Sequence, residues 1–121
     1  MGLIMVLDDE QDSCRLIQRI LSGSGHEVQT FTDGNEALHW LEGHEPDLAI
    51  LDIKLRGPDG IQVLEHMRRR NCRAKVLMIT GHPSVETAQR AFQHGIEDYM
   101  VKPIEIDELE ERVNRALRLI L

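Results

Sequence analysis

Four stretches of the chain are apolar almost without interruption: Leu3–Leu7 (LIMVL), Leu48–Leu51 (LAIL), Val76–Ile79 (VLMI) and Tyr99–Val101 (YMV). Short runs without alternation suit parallel strands covered on both faces. Val28–Phe31 (VQTF) mixes apolar and polar positions, as an edge strand does. Between the runs the apolar spacing changes to three or four residues: Cys14, Ile17, Leu21; Ala37, Leu38, Leu41; Ile61, Leu64, Met67; Val85, Ala88, Phe92; Leu109, Val113, Leu117, Ile120. Each set predicts a helix that lays one apolar stripe against a sheet.

Strand and helix therefore alternate five times. Right-handed crossovers then place helices on both faces of a parallel sheet. The predicted fold class is α/β, a flavodoxin-like doubly wound (βα)5 sandwich with strand order 2-1-3-4-5. In that order the first and third strands are neighbours, and the crevice at their carboxyl ends is where such folds bind ligands. Gly23-Ser24-Gly25, Gly57-Pro58-Asp59-Gly60 and Gly95 punctuate the pattern as turns or helix stops.

The 121 residues fit one domain, 1–121, and a composition 41% hydrophobic and 29% charged is that of a soluble globular chain. The apolar runs stop far short of the roughly 20 residues that cross a bilayer, and no signal peptide opens the chain, so a cytoplasmic protein without membrane contact is expected. Cys14 and Cys72 have no Cys-x-x-Cys or Cys/His ligand spacing and read as free thiols. A net charge of −7 argues against a direct grip on nucleic acid, which rests on neutralising phosphates. The cluster Arg68-Arg69-Arg70 reads as the solvated end of a helix, where cations complement the macrodipole. The six histidines share no metal-ligand spacing and read as surface or turn residues.

Charge and hydroxyl groups stand where the apolar runs end. Asp8-Asp9 follows the first run, Asp52 interrupts the third in LAILDIKL, Thr80-Gly81 ends the fourth and Lys102-Pro103 the last. Each has an ordinary reading: Asp8-Asp9-Glu10 as a helix cap, Asp52 as a cap or loop ligand, Thr80 as a strand residue, Lys102 as a surface cation. Together they describe one chemistry. Two adjacent carboxylates joined by a third make a hard, oxygen-rich site for Mg²⁺ or Mn²⁺. A carboxylate at the end of a buried strand is costly unless compensated, and Asp52 is placed to attack phosphorus. Lys102 can pair with a phosphoryl oxygen or with Asp52, and a cis bond before Pro103 would aim it inward. The Thr80 hydroxyl can reach a phosphoryl group on the neighbouring strand, with Gly81 leaving space.

The joint pattern Asp8-Asp9, Asp52-Ile53-Lys54 leading to Pro58-Asp59-Gly60, Thr80-Gly81, and Asp98-Tyr99 leading to Lys102-Pro103 resembles the response-regulator receiver domain of bacterial two-component signalling, over essentially the whole chain. The resemblance implies that Asp52 accepts phosphate from a sensor histidine kinase. It implies that Asp9, Asp52 and the backbone carbonyl of Lys54 hold Mg²⁺, with Asp8 acting through a metal-bound water. Thr80 and Lys102 would bind the phosphoryl group, Thr80 and Tyr99 would form the switch, and Lys54 and His82 would tune hydrolysis. The segment Gly81-His82-Pro83-Ser84-Val85-Glu86-Thr87-Ala88 resembles receivers joined to ATPase transcription activators of the nitrogen-regulation type. The loop after the nucleophile departs from the common Met-Pro-Gly-Met-Asp-Gly, reading Leu55-Arg56-Gly57-Pro58-Asp59-Gly60.

The expectation is a phosphorylation-dependent switch that alters a surface on its fourth helix, fifth strand and fifth helix to control an output domain or partner. It would catalyse its own phosphorylation and would not be an enzyme in the ordinary sense. Leu119 and Leu121 lie off the last buried stripe, so the helix could continue as a dimerising linker. A stand-alone receiver that binds another protein directly stays open at this stage. An aspartyl-nucleophile phosphatase would carry a second Asp where Lys54 stands, and a flavin module would place a phosphate-cradling loop where Asp8-Asp9-Glu10 would repel it.

Overall fold

The computed structural model describes residues 2–55 and 57–118. The strands are β1 (Leu3–Leu7), β2 (Glu27–Phe31), β3 (Leu48–Asp52), β4 (Lys75–Thr80) and β5 (Asp98–Val101). They alternate with the helices α1 (Gln11–Gly23), α2 (Gly34–Leu41), α3 (Gly60–Arg69), α4 (Val85–Gln93) and α5 (Ile106–Arg118). All strand pairs are parallel and the order is β2-β1-β3-β4-β5, as the alternation predicts.

The central strands explain their own composition. Ile4, Val6, Leu48, Ile50, Leu77 and Ile79 point to one face, where Cys14, Ile17 and Leu21 of α1 and Leu109, Val113 and Ala116 of α5 cover them. Met5, Leu7, Ala49, Leu51, Val76 and Met78 point to the other, beneath Ala37 of α2, Ile61, Leu64 and Met67 of α3, and Ala91 of α4. Period-2 alternation feeds two cores, so the runs are apolar on both sides until the strand ends, where Asp52 closes β3 and Thr80 closes β4. The edge strands are less covered: β2 exposes Glu27 and Gln29, and Val101 of β5 is half exposed.

One helix is turned differently from its pattern. The stripe Val85, Ala88, Phe92 was expected on the sheet, but Val85 and Phe92 are exposed at 75% and 54%, and Ala91 is the buried residue. The rotation is fixed from outside the hydrophobic pattern: the Thr87 hydroxyl lies 3.2 Å from the Tyr99 hydroxyl, and only the small Ala91 side chain lies fully in the core. Arg68 also departs from expectation. It is half buried and not a free solvated cation: Nε donates to the His94 carbonyl (2.8 Å), one terminal nitrogen to those of Cys72 (2.9 Å) and Ala74 (3.0 Å), and the other to Gly95 (3.3 Å). Cys14 and Cys72 are free thiols. Leu119 and Leu121, the basis of the linker expectation, lie outside the described residues, as do Ile120 of the last apolar stripe and Arg56.

Among the described residues no helix is long and apolar enough to cross a membrane.

Candidate phosphoryl-acceptor site

The carboxyl ends of β1, β3, β4 and β5 deliver the site. The in-register pairs Leu7 with Leu51, Asp52 with Ile79 and Thr80 with Val101 bring the residues just beyond them to one edge. Asp8, Asp52 and Thr80 are the buried polar residues there, at 0%, 3% and 0% exposure. Lys102 follows β5, its bond to Pro103 is cis, and its amide donates to the Thr80 carbonyl (2.8 Å).

The Lys102 ammonium is the hub. It lies 2.9 Å from Oδ2 of Asp52, 3.1 and 3.3 Å from the two oxygens of Asp8, and 2.6 Å from Oε1 of Glu10. Three donors thus meet three carboxylates, the full complement of an ammonium. Asp8 Oδ1 also accepts from the Glu10 amide (2.9 Å), and Asp52 Oδ1 from the Lys54 amide (3.3 Å). Asp8 Oδ2 is buried without a hydrogen bond, close to the ammonium but outside bonding geometry.

The charges follow their surroundings. Burial, with the nearby Asp52 charge, raises the Asp8 pKa against the opposing help of the Glu10 amide and Lys102. Burial works to lower that of Lys102, but hydrogen bonds to Glu10, Asp52 and Asp8 outweigh it and hold the ammonium above its ordinary range. Glu10 is lowered by its hydrogen bond from Lys102. The Cys14 thiol, which donates to the Asp8 carbonyl (3.2 Å), is pushed up to about 11 by burial and by the Asp8 charge, so it stays protonated and unreactive at neutral pH.

A crevice of about 310 Å³ opens over these groups, walled by Asp9, Glu10, Asp52, Lys54, Gly81, His82 and Lys102. Asp8, Glu10 and Asp52 each offer an oxygen within 4.8 Å of the others. An all-carboxylate donor set with one buried, unsatisfied oxygen fits a hard divalent cation. Asp9 is exposed on the wall and is not a member of this tight group, where Glu10 stands instead.

The loop after Asp52 is held by backbone approach. Gly60 opens α3 so close to β3 that a β-carbon there would overlap the Asp52 carbonyl oxygen. Asp59 caps the helix reciprocally with Gln62, its side chain accepting from the Gln62 amide (2.9 Å). Gly57 sits at φ +69°, a conformation glycine adopts without steric cost.

Thr80 Oγ1 accepts from the His82 amide (2.9 Å), which holds the hydroxyl in the β4–α4 turn. Tyr99 is half buried. Its hydroxyl accepts from the Ser84 amide (3.4 Å) and meets Thr87, linking β5 to the first turn of α4. The structure therefore brings together Asp8, Asp52 and Lys102, leaves Asp9, Lys54 and His82 on the crevice wall, and sets Tyr99 apart on β5, against the first turn of α4. Glu10 is the member that sequence reasoning did not assign, having placed it only in a helix cap.

The sheet is that of a doubly wound α/β domain with an acidic crevice and a strand-end lysine at the carboxyl edge of its strands, and comparison with known proteins gives its family. The model of the response regulator receiver domain matches residues 4–114, and the chain belongs to that family, the receivers of two-component systems. It is 35% identical over 116 residues to the DNA-binding transcriptional regulator NtrC of Salmonella typhimurium and 36% to the regulatory protein AtoC of Escherichia coli. Each match covers 96% of this chain and 25% of the relative, so the chain spans about a quarter of their length. Among solved structures, NtrX from Brucella abortus superposes with a TM-score of 0.89 at 38% identity, over 98% of this chain and 27% of that one. A CheY-like receiver from Methanospirillum hungatei gives 0.94 at 28% identity, covering 98% and 95%.

Proposed function

We propose that the domain is a phosphorylation-dependent switch, with Asp52 as the acceptor of a phosphoryl group from the phosphohistidine of a sensor kinase. The observation that carries this reading is the Lys102 ammonium 2.9 Å from a nearly buried Asp52 carboxylate, at the mouth of an acidic crevice. An oxygen of Asp52 forms the new bond to phosphorus. The phosphorus–nitrogen bond of the donor breaks, and the imidazole keeps its electron pair and takes a proton from water. Lys102 neutralises the transferring oxygens, the main task in such transfers. Thr80 turns its hydroxyl from the His82 amide to the phosphoryl group.

Asp9, Asp52 and the Lys54 carbonyl, with Asp8 behind a water, would hold Mg²⁺ or Mn²⁺. Bound there, the ion supplies charge neutralisation at the phosphoryl oxygens. Tyr99 follows Thr80, releases Ser84 and Thr87, and so changes the α4-β5-α5 surface read by an output domain or partner. The output is transcriptional, the setting cytoplasmic, and the domain turns over no outside product. Lys54 and His82, on the crevice wall, slow the water that hydrolyses the acyl phosphate.

The test is intact mass after incubation with acetyl phosphate and Mg²⁺. One phosphoryl group should add to the unaltered chain and none to Asp52→Asn or with EDTA. The adduct should decay faster when Lys54 and His82 are both alanine. No addition under any condition rejects the acceptor role.

A further inference from the structure

Glu10 occupies the N-cap of α1, yet it does not cap. At α2, α3 and α4 the cap side chains of Asp33, Asp59 and Ser84 each accept a backbone N–H of their own helix. Glu10 makes no such bond, and its carboxylate crosses the crevice to the Lys102 ammonium at 2.6 Å, the shortest of that ammonium's contacts. The reach is made from solvent: the Glu10 side chain is 63% exposed where those of Asp8 and Asp52 are 0% and 5%. Holding that position costs an exposed side chain rotamer freedom, which the charge-assisted bond to the ammonium offsets.

The consequence lies in what Lys102 has left to give. Two of its protons face Asp8 and Asp52, and the third is taken by Glu10 on the solvent side, where a phosphoryl group enters. Glu10 also places a negative charge on the wall that an anionic donor must pass. We propose that Glu10 is a positioning residue that holds the Lys102 ammonium at the crevice mouth and slows phosphoryl uptake from small anionic donors. The uptake part rests on the acceptor role proposed for Asp52; the hold on Lys102 does not.

Glu10→Gln removes the charge from an exposed side chain. In the metal-free protein, the Lys102 ammonium followed by nitrogen-15 NMR should exchange its protons about three to ten times faster in the variant, because a neutral amide is a weaker acceptor than a carboxylate. With acetyl phosphate and Mg²⁺, uptake at Asp52 should be about three to ten times faster at low ionic strength, the gap closing toward about 1 M salt where screening is within about 3 Å. Unchanged exchange overturns the proposal whatever the uptake shows. Faster exchange with unchanged or slower uptake, or a gain insensitive to salt, overturns the role in donor entry. Faster exchange with no uptake by either chain rejects the acceptor role of Asp52 and leaves the hold of Glu10 on Lys102 standing.

Discussion

Asp8 carries a fully buried carboxylate with one oxygen lacking a hydrogen bond, and its pKa lies above the ordinary 3.8. A raised acid pKa means the folded chain holds its proton longer than the unfolded one. Stability is then lost as pH rises from about the unfolded value through the folded one, and the ionised form is carried at a cost at neutral pH. Asp8→Asn keeps an oxygen for the Glu10 amide and leaves Lys102 paired with Asp52 and Glu10. It should stabilise the metal-free chain by about 0.5–2 kcal/mol at pH 7, as removing functional strain commonly does. The gain should shrink toward pH 3, measured by urea unfolding across pH; a variant less stable at pH 7 contradicts the account. The residue types of this site were legible because charge interrupted apolar runs at Asp8, Asp52 and Lys102. Which acid turns inward was not. Asp9 and Glu10 are adjacent acids on one turn, and the choice between wall and ammonium lies in side-chain reach and rotamer, which no periodicity encodes.

α4 shows the same limit for an element. Its apolar residues are spaced as a buried stripe, but hydrogen bonds from Thr87 and Ser84 to Tyr99 turn it so that Val85 and Phe92 face water. A pattern reads the hydrophobic term alone, and α4 buries too little for that term to prevail. The opposite end of α4 depends on Arg68, whose guanidinium gathers carbonyls from the end of α3, the start of β4 and the end of α4. Charge-assisted bonds to backbone are the stronger class, and their loss leaves half-buried carbonyls without donors. Arg68→Ala should cost about 2–3 kcal/mol in chemical unfolding. Arg68→Lys should recover less than half, because an ammonium cannot span four carbonyls as a planar fork does. Full recovery by lysine would show that charge at a helix end, the sequence-level reading, was sufficient.

At the scale of the molecule the architecture was legible because the alternation of two periods leaves one economical solution. Short fully apolar runs must be covered on both faces, and right-handed crossovers then fix where the strand ends gather. That edge concentrates negative charge in a chain already at −7, with Lys102 as the ammonium shared by Asp8, Glu10 and Asp52. Folding therefore assembles like charges that the unfolded chain keeps apart, and a divalent cation that binds only the assembled group should stabilise the fold by mass action. At about a hundredfold excess over its dissociation constant the gain is about 2.7 kcal/mol. For a domain of this size that is roughly a 10 °C rise in melting temperature. Mg²⁺ should raise the melting temperature by that order, Na⁺ at equal ionic strength should not, and Asp52→Asn should lose most of the response. An equal response to Na⁺ would mean that screening of the net charge, with no site, accounts for the stabilisation. Retention by Asp52→Asn would place the cation away from the acceptor and separate the acidic crevice from the phosphoryl chemistry assigned to it.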